Sequence, residues 1–336
     1  MTRGSNSLKR AGTRNSLFAE WFFCRCGTPR APVYLLNMRL KIVAFTAALS
    51  LLSCALFAED PSVQIIDNPW LVLRAFLVSY PAKISGVDYD STVKDWFIVM
   101  GDDRLYWAGG RLLPLSEIQN QKKWRAYIDY LYPERIPDPV NFSDEVIKQL
   151  NADVLAEERN NALAYNINFY DHLYDGATRR AIESHITRFD YLGARVSVHE
   201  DVAPALKRVE THLYELAVKD EEVRNFIASI SSIEGYNWRE IADSPSRSNH
   251  SWGFAVDILP KNWGKKNLYW NWVSYWNDKW MLIPLERRWM PPASVIAAFE
   301  AEGFIWGGKW LLWDNMHFEY RPELLVLQKW GYAGDF

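Results

Sequence analysis

Three residues of the chain have the types and spacing to hold a metal ion. His250 and Asp257 lie in Ser248-Asn249-His250-Ser251-Trp252-Gly253-Phe254-Ala255-Val256-Asp257, with six residues between them. His317 lies far downstream in Trp313-Asp314-Asn315-Met316-His317-Phe318-Glu319, three positions after Asp314. Two imidazoles and one carboxylate form a three-ligand set of the kind catalytic zinc sites use, with the fourth position open to water. A further carboxylate beside the third ligand, Asp314, stands where a general base for that water would sit.

The elements around these residues must bring them together. Alternate residues of a strand share a face, so Ala255 and Asp257 point the same way if residues 254–259 form a strand. The preceding Ser-x-His-x-x-Gly segment reads as a turn that folds His250 back towards Asp257. Gly253 suits that turn because it accepts backbone angles other residues resist. Residues 233–236, 304–306 and 311–318 are the other strand candidates near the site. Pro291 to Glu302 reads as a helix with Val295, Ile296 and Phe299 inward, closed by Gly303. His172, His185, His199 and His212 are read as packed or surface histidines.

Upstream, Val202, Ala205, Leu206, Val209, Leu213, Leu216 and Ala217 recur at steps of three and four, predicting an amphipathic helix. A second helix begins at Asp220-Glu221-Glu222, whose acidic residues suit the positive end of a helix dipole. Arg195 to His199 is a predicted strand, and 143–163 and 176–189 read as helices. In the first part of the mature chain, Trp96 to Met100 and Leu105 to Ala108 read as strands joined by a turn at Gly101-Asp102-Asp103. No catalytic constellation occurs there. The fold class expected is α+β: a small antiparallel sheet with flanking helices, preceded by a smaller mixed or β-rich N-terminal region.

The formal charge of −3, from 38 basic and 41 acidic residues, conceals a split. Eight Lys or Arg and one acidic residue precede Glu59, which leaves 30 basic against 40 acidic residues beyond it. A body near −10 lacks the basic footprint of a nucleic-acid-binding protein. Met38-Arg39-Leu40-Lys41, followed by apolar residues to Ala58, has the n-region and h-region of an export signal. The h-region is too short for a comfortable bilayer span. Residues 1–37 lack this logic and are read as a leader that is not native, with 38–58 the signal peptide. Cleavage after Ala58 would remove all three cysteines, Cys24, Cys26 and Cys54. The alternative is a lipid anchor at Cys54, since Leu51-Leu52-Ser53-Cys54 resembles a lipobox. The remaining organisation is read as an accessory N-terminal region over 59–180 and a metal-binding domain over 181–336.

Ser248-x-His250-x-x-Gly253-x-Ala255-x-Asp257, followed by Asp314-x-x-His317-Phe318, resembles the signature of the D-alanyl-D-alanine carboxypeptidase and L-alanyl-D-glutamate endopeptidase family. These zinc peptidases of bacterial peptidoglycan share a fold with lysostaphin-type enzymes and the hedgehog signalling domain. The resemblance covers roughly residues 185 to 330. It implies Zn2+ on His250, Asp257 and His317, with Asp314 as general base. Many members carry Glu at that place, and the Asp here is closer to the endopeptidase and phage-lysin branch. The family also has an arginine upstream of the first ligand, for the oxyanion or a substrate carboxylate. Arg239, in Tyr236-Asn237-Trp238-Arg239, is the best match, with Arg247 its competitor. Ser248 and Glu319 either orient ligands, as metal sites commonly require, or serve the structure only.

The resemblance thus implies an exported enzyme of the periplasm or cell envelope that cuts next to D-amino acids. Its partners would be peptidoglycan stem peptides, with no nucleic acid, no permanent membrane span, and a monomeric chain. The competing expectation is a non-catalytic zinc-binding or cell-wall-binding module of the same fold; Asp314 argues against it, because a module without turnover need not keep the base. Between the ligand segments lie Trp263, Tyr269, Trp270, Trp272, Tyr275, Trp276 and Trp280. They line a cleft or fill a thin core, and large aromatics are most often buried for their area. Lys309, in the tight link Trp306-Gly307-Gly308-Lys309-Trp310, is expected beside the cleft.

Overall fold

The computed structural model describes residues 68–128, 131–153, 162–241 and 246–334. The leader over 1–37, the export segment over 38–58 with Cys54, and part of the helix expected over 143–163 lie outside the described residues. The chain divides into two compact units, and every described residue belongs to the second, Asp60–Phe336.

Asn68 begins the first helix, α1 (Pro69–Ser79), by accepting the Leu71 N–H on its side-chain oxygen at 3.1 Å. Pro69 sits where a missing N–H costs nothing. A three-stranded antiparallel meander follows: β1 (Gly86–Asp90), β2 (Asp95–Met100) and β3 (Asp103–Tyr106). Next come α2 (Asp144–Asp153), α3 (Asn168–Leu173) and α4 (Arg179–Ser184), then a hairpin of β4 (Ile186–Tyr191) and β5 (Ala194–His199).

This hairpin corrects the helix predicted over 176–189, which ends at Ser184. Ile186, Phe189 and Tyr191 favour a pleated surface. Leu192 and Gly193, with φ of 48° and 78°, then make the two-residue turn whose twist matches paired strands.

Two helices follow as the periodicity predicts, α5 (Ala203–Ala217) and α6 (Glu221–Ser229). Asp220 caps α6 by accepting the Glu222 and Val223 N–H groups at 2.9 and 3.3 Å. The chain then runs through β6 (Ile230–Glu234), β7 (Ala255–Pro260), α7 (Trp270–Ser274), α8 (Ala293–Ala301), β8 (Phe304–Trp306), β9 (His317–Tyr320) and α9 (Pro322–Lys329). The last four strands form one antiparallel sheet in the order β6-β7-β9-β8.

The strand expected over 311–318 is shorter than predicted, because the backbone before His317 bonds elsewhere. Asp314 N–H donates to Gly307 O at 3.0 Å, Asn315 N–H to Leu268 O at 2.8 Å, and Trp313 O accepts from Trp270 N–H at 3.0 Å. Those bonds draw 313–315 out of the sheet towards the 268–270 segment.

Strand alternation divides this sheet into two faces. Val256 and Phe318 pair on the face that α8 covers, where the Phe299 and Phe318 rings stack at 3.9 Å. A fully buried aromatic side chain of this kind contributes about 1.5–3 kcal/mol. The other face carries Ala255 opposite Glu319 and Asp257 opposite His317. One hydrophobic cluster runs from Val72, Leu73 and Phe76 of α1 to Leu324 and Leu327 of α9, and these two helices pack together. Among the described residues no helix is long and apolar enough to cross a membrane.

The aromatic run splits between the two readings. Trp270 and Trp280 join Trp313, Leu150, Met281 and Ile283 in a second buried cluster. Tyr275 and Trp276 remain exposed, at 79% and 68%. They follow the five-residue α7, whose inward positions Trp270 and Val273 already occupy.

Candidate metal centre

Asp257 is the third residue of β7 and His317 the first of β9, and the two are direct cross-strand partners. Side chains so paired lie about 5 Å apart at Cβ. His250 comes from a 3-10 turn, Asn249–Trp252, closed by Gly253 in the left-handed region at φ 73°. A Cβ on Gly253 would sit 2.7 Å from His199 N and 2.8 Å from Ile186 Cδ1, so glycine lets the turn rest against the β4–β5 hairpin. His199 N–H donates to Gly253 O at 2.9 Å across that contact.

His250, Asp257 and His317 are buried, and each offers one ligand atom within 4.8 Å of the others. His250 Nε2 lies 3.3 Å from Asp257 Oδ2, and His317 Nδ1 lies 2.8 Å from Asp257 Oδ1. The second nitrogen of each ring is held from behind. His250 Nδ1 is 2.7 Å from Gly235 O, and His317 Nε2 is 3.1 Å from Glu319 Oε2. Such outer partners fix the orientation of ligating imidazoles. Glu319 also accepts Asn249 Nδ2–H at 2.6 Å, which ties the His250 turn to β9.

The charges of these groups are strongly interdependent. Burial alone would raise the Asp257 pKa, but the two imidazoles outweigh it and hold the carboxyl well below the usual carboxylate range. For His317, burial opposes the charge, yet hydrogen bonds to Asp257 and Glu319 raise its proton affinity well above that of an ordinary histidine. Glu319 is held low, against burial, first by its bond to His317. Both ring nitrogens of an imidazolium are donors, which is the form that two flanking carboxylates favour.

The donor set fits a divalent cation. Nitrogen and oxygen ligands of this kind suit zinc. The connected buried network contains three carboxylates, Asp257, Glu319 and Glu323, and one guanidinium, Arg321. With both imidazoles neutral, as metal ligation requires, its charge is −2, and buried charge is costly unless matched. A divalent ion among His250, Asp257 and His317 supplies that match.

Asp314 stands half-buried beside the cluster, with Oδ1 shielded and without a hydrogen-bond partner among the described residues. Burial, and then the negative charge of Asp257, push its pKa up to about 8, against the opposing pull of His317, the Met316 N–H and Arg239. Arg239 is exposed and lines a cavity of about 220 Å³ together with Glu234, Tyr236, Asn237, His250 and Asp257. Arg247 is engaged elsewhere. Its guanidinium lies between Trp238 and Trp252, 4.2 and 3.8 Å from the ring centres, and pairs with Asp171 at 3.0 Å.

The other residues singled out in the sequence lie as follows. Ser248 is buried, and its backbone N–H donates to Arg239 O at 3.0 Å. Lys309, expected beside the cleft, is bound to Glu300 at 2.7 Å with its ammonium over the Tyr132 ring.

Sequence reasoning missed several supports. Ser251 Oγ accepts Arg239 N–H at 2.9 Å and donates towards Arg239 O at 2.7 Å, which fixes the backbone that carries the cavity arginine. Asn249 and the Gly235 carbonyl carried no signal, because their role depends on what folds against them. The alternation Glu319-x-Arg321-x-Glu323 was a signal: three charges two residues apart at a strand end.

A family model described as D-alanyl-D-alanine carboxypeptidase matches residues 242–320, which contain His250, Asp257, Asp314 and His317. Residues 72–129 match the model of a domain of unknown function. No curated protein and no solved structure matches the chain. Over 242–320, then, the chain is similar to peptidases of the D-alanyl-D-alanine carboxypeptidase type, with a buried His-Asp-His group able to hold a metal.

Proposed function

We propose that the chain is an exported zinc metallopeptidase. It hydrolyses a peptide bond next to D-amino acids in peptidoglycan stem peptides, as a D-Ala-D-Ala carboxypeptidase or an L-Ala-D-Glu endopeptidase. The observation that carries this reading is the convergence of His250, Asp257 and His317 within 4.8 Å, beside the Asp314 carboxyl, whose Oδ1 has no hydrogen-bond partner among the described residues. The basic and apolar residues over 38–58 support export.

Zinc held by the three ligands would supply Lewis acidity and lower the pKa of a coordinated water. The remaining steps belong to the chain. Asp314, whose proton affinity is raised by burial, takes a proton from the attacking water. The water oxygen bonds to the scissile carbonyl carbon, the C–N bond breaks, and the same carboxyl returns the proton to the departing amine. Arg239, in the cavity wall, offers its guanidinium to the developing oxyanion or to a substrate carboxylate. Glu319 and the Gly235 carbonyl hold the two imidazoles in register throughout.

The test is to incubate the purified chain on muropeptides of known stem length, with zinc and with a chelator, and to identify products by mass spectrometry. Zinc-dependent release of D-Ala, or of a shortened stem, is expected. Zinc uptake with every stem left intact would instead identify a non-catalytic binding module.

A further inference from the structure

The metal centre has a rear support that leaves the peptidase-like segment. His317 Nε2 meets Glu319, Glu319 Oε1 lies 3.4 Å from an Arg321 terminal nitrogen, and Arg321 Nε donates to Glu323 Oε1. Glu323 Oε2 accepts the Tyr80 hydroxyl at 2.7 Å, a contact across 243 positions of sequence. A second Arg321 nitrogen donates to the Tyr127 carbonyl at 3.3 Å. His317, Glu319, Arg321, Glu323, Tyr80 and Tyr127 are all buried. Water is therefore a poor substitute for any missing partner, and the position of each group depends on the next.

We propose that Tyr80 and Tyr127 are positioning residues for His317, so that residues 68–128 form the back wall of the metal centre. The inference rests on the metal reading of His250, Asp257 and His317. It gives a role to the segment matched only as a domain of unknown function, since Tyr80 and Tyr127 both fall within 72–129. Arg321 and Glu323 lie just past the end of the carboxypeptidase-like match at 320. The coupling is thus built by elements on either side of that match. Glu323 and the Tyr127 carbonyl hold Arg321 towards Glu319, and the Tyr80 hydroxyl in turn holds Glu323. Loss of that hydroxyl loosens Glu323, then Arg321, and leaves Glu319 held behind His317 more by Asn249 and less by Arg321.

Zinc affinity of the full chain, measured by chelator competition, tests this together with the absorption spectrum of the Co2+-loaded protein. Glu319→Gln is expected to weaken zinc binding about 10–100-fold, the usual effect of losing an outer partner of a ligand. Tyr80→Phe, acting through the same residue, is expected to weaken it about fivefold and to shift the Co2+ bands. In the Glu319→Gln background the Tyr80→Phe effect should vanish, because the route is already cut. Glu323→Gln provides the same comparison if Tyr80→Phe does not fold. A zinc-binding parent whose affinity and Co2+ spectrum are untouched by Tyr80→Phe would overturn the proposal alone. Equal weakening in both backgrounds would do the same. A parent that takes up no zinc would overturn the metal reading and the proposal with it.

Discussion

Asp257 and His317 face each other directly across β7 and β9, with His317 Nδ1 2.8 Å from Asp257 Oδ1. Two residues 60 positions apart thereby share one point on one sheet face, and His250 reaches the same point from a glycine-closed turn. Four expectations follow from this arrangement and its surroundings.

The first concerns metal content. His250→Ala removes one of three donors and leaves Asp257 buried without one of its two imidazoles. Metal analysis should find close to one zinc per parental chain and little in the variant. Full occupancy in the variant would remove His250 from the ligand set.

Asp314→Ala should separate binding from turnover. Among the described residues no hydrogen bond joins the side chain to His250, Asp257 or His317, so zinc content should be kept. Activity on stem peptides should fall about 10²–10⁴-fold, the range expected for loss of a general acid–base group. Parental rates in this variant would rule out Asp314 as the base.

Asp314 should also set a pH dependence in the metal-free protein. Its carboxyl titrates at about 8 in the folded chain, against an ordinary value of 3.8. Between those values the folded state holds a proton that the unfolded state has released. The resulting stability is complete below about pH 4 and is lost as pH rises to about 8. His317 acts in the same direction, whereas Asp257 and Glu319, both held low, act in the opposite one. Comparison with Asp314→Asn isolates the carboxyl. The Tm difference between parent and variant should drift from pH 5 to 8 and level off above 9, and a constant difference would refute the shift.

Two arginines should respond differently. Arg239→Ala leaves the packing intact and should lower kcat about 10²–10³-fold, as the loss of an oxyanion donor does. Arg247→Ala breaks a largely buried pair with Asp171 and empties the slot between Trp238 and Trp252. It should cost roughly 3–5 kcal/mol of stability, visible in denaturant melts. If Arg247→Ala left stability unchanged and abolished activity, the roles assigned to the two arginines would be exchanged.

Much of this was legible in the chain itself. The alternation Ala255-x-Asp257 and His317-x-Glu319 is a property of any strand, so the shared face could be read before any coordinates were known. The helices over 203–217 and 221–229 were visible in their apolar periodicity, because a surface helix must bury a stripe. Less legible was the hairpin after Ser184, where a helical pattern in 176–189 yields to paired strands only because β5 is available. The straightening of 311–316 was overestimated because a strand and an extended loop share local propensity, and only long-range partners such as Leu268 and Gly307 separate them.

Residue types and spacing by themselves determined which side chains can hold a metal and which carboxyl stands beside them. That follows from chemistry and from the two-residue period of a strand, both local properties. Tertiary structure alone decided which arginine faces the cavity, that the Gly235 carbonyl backs His250, and that Tyr80 closes the network behind His317. Those relations join groups from about 15 to more than 230 positions apart. No local preference encodes them: they arise when buried polar groups, cut off from water, must find their partners in whatever the fold brings near.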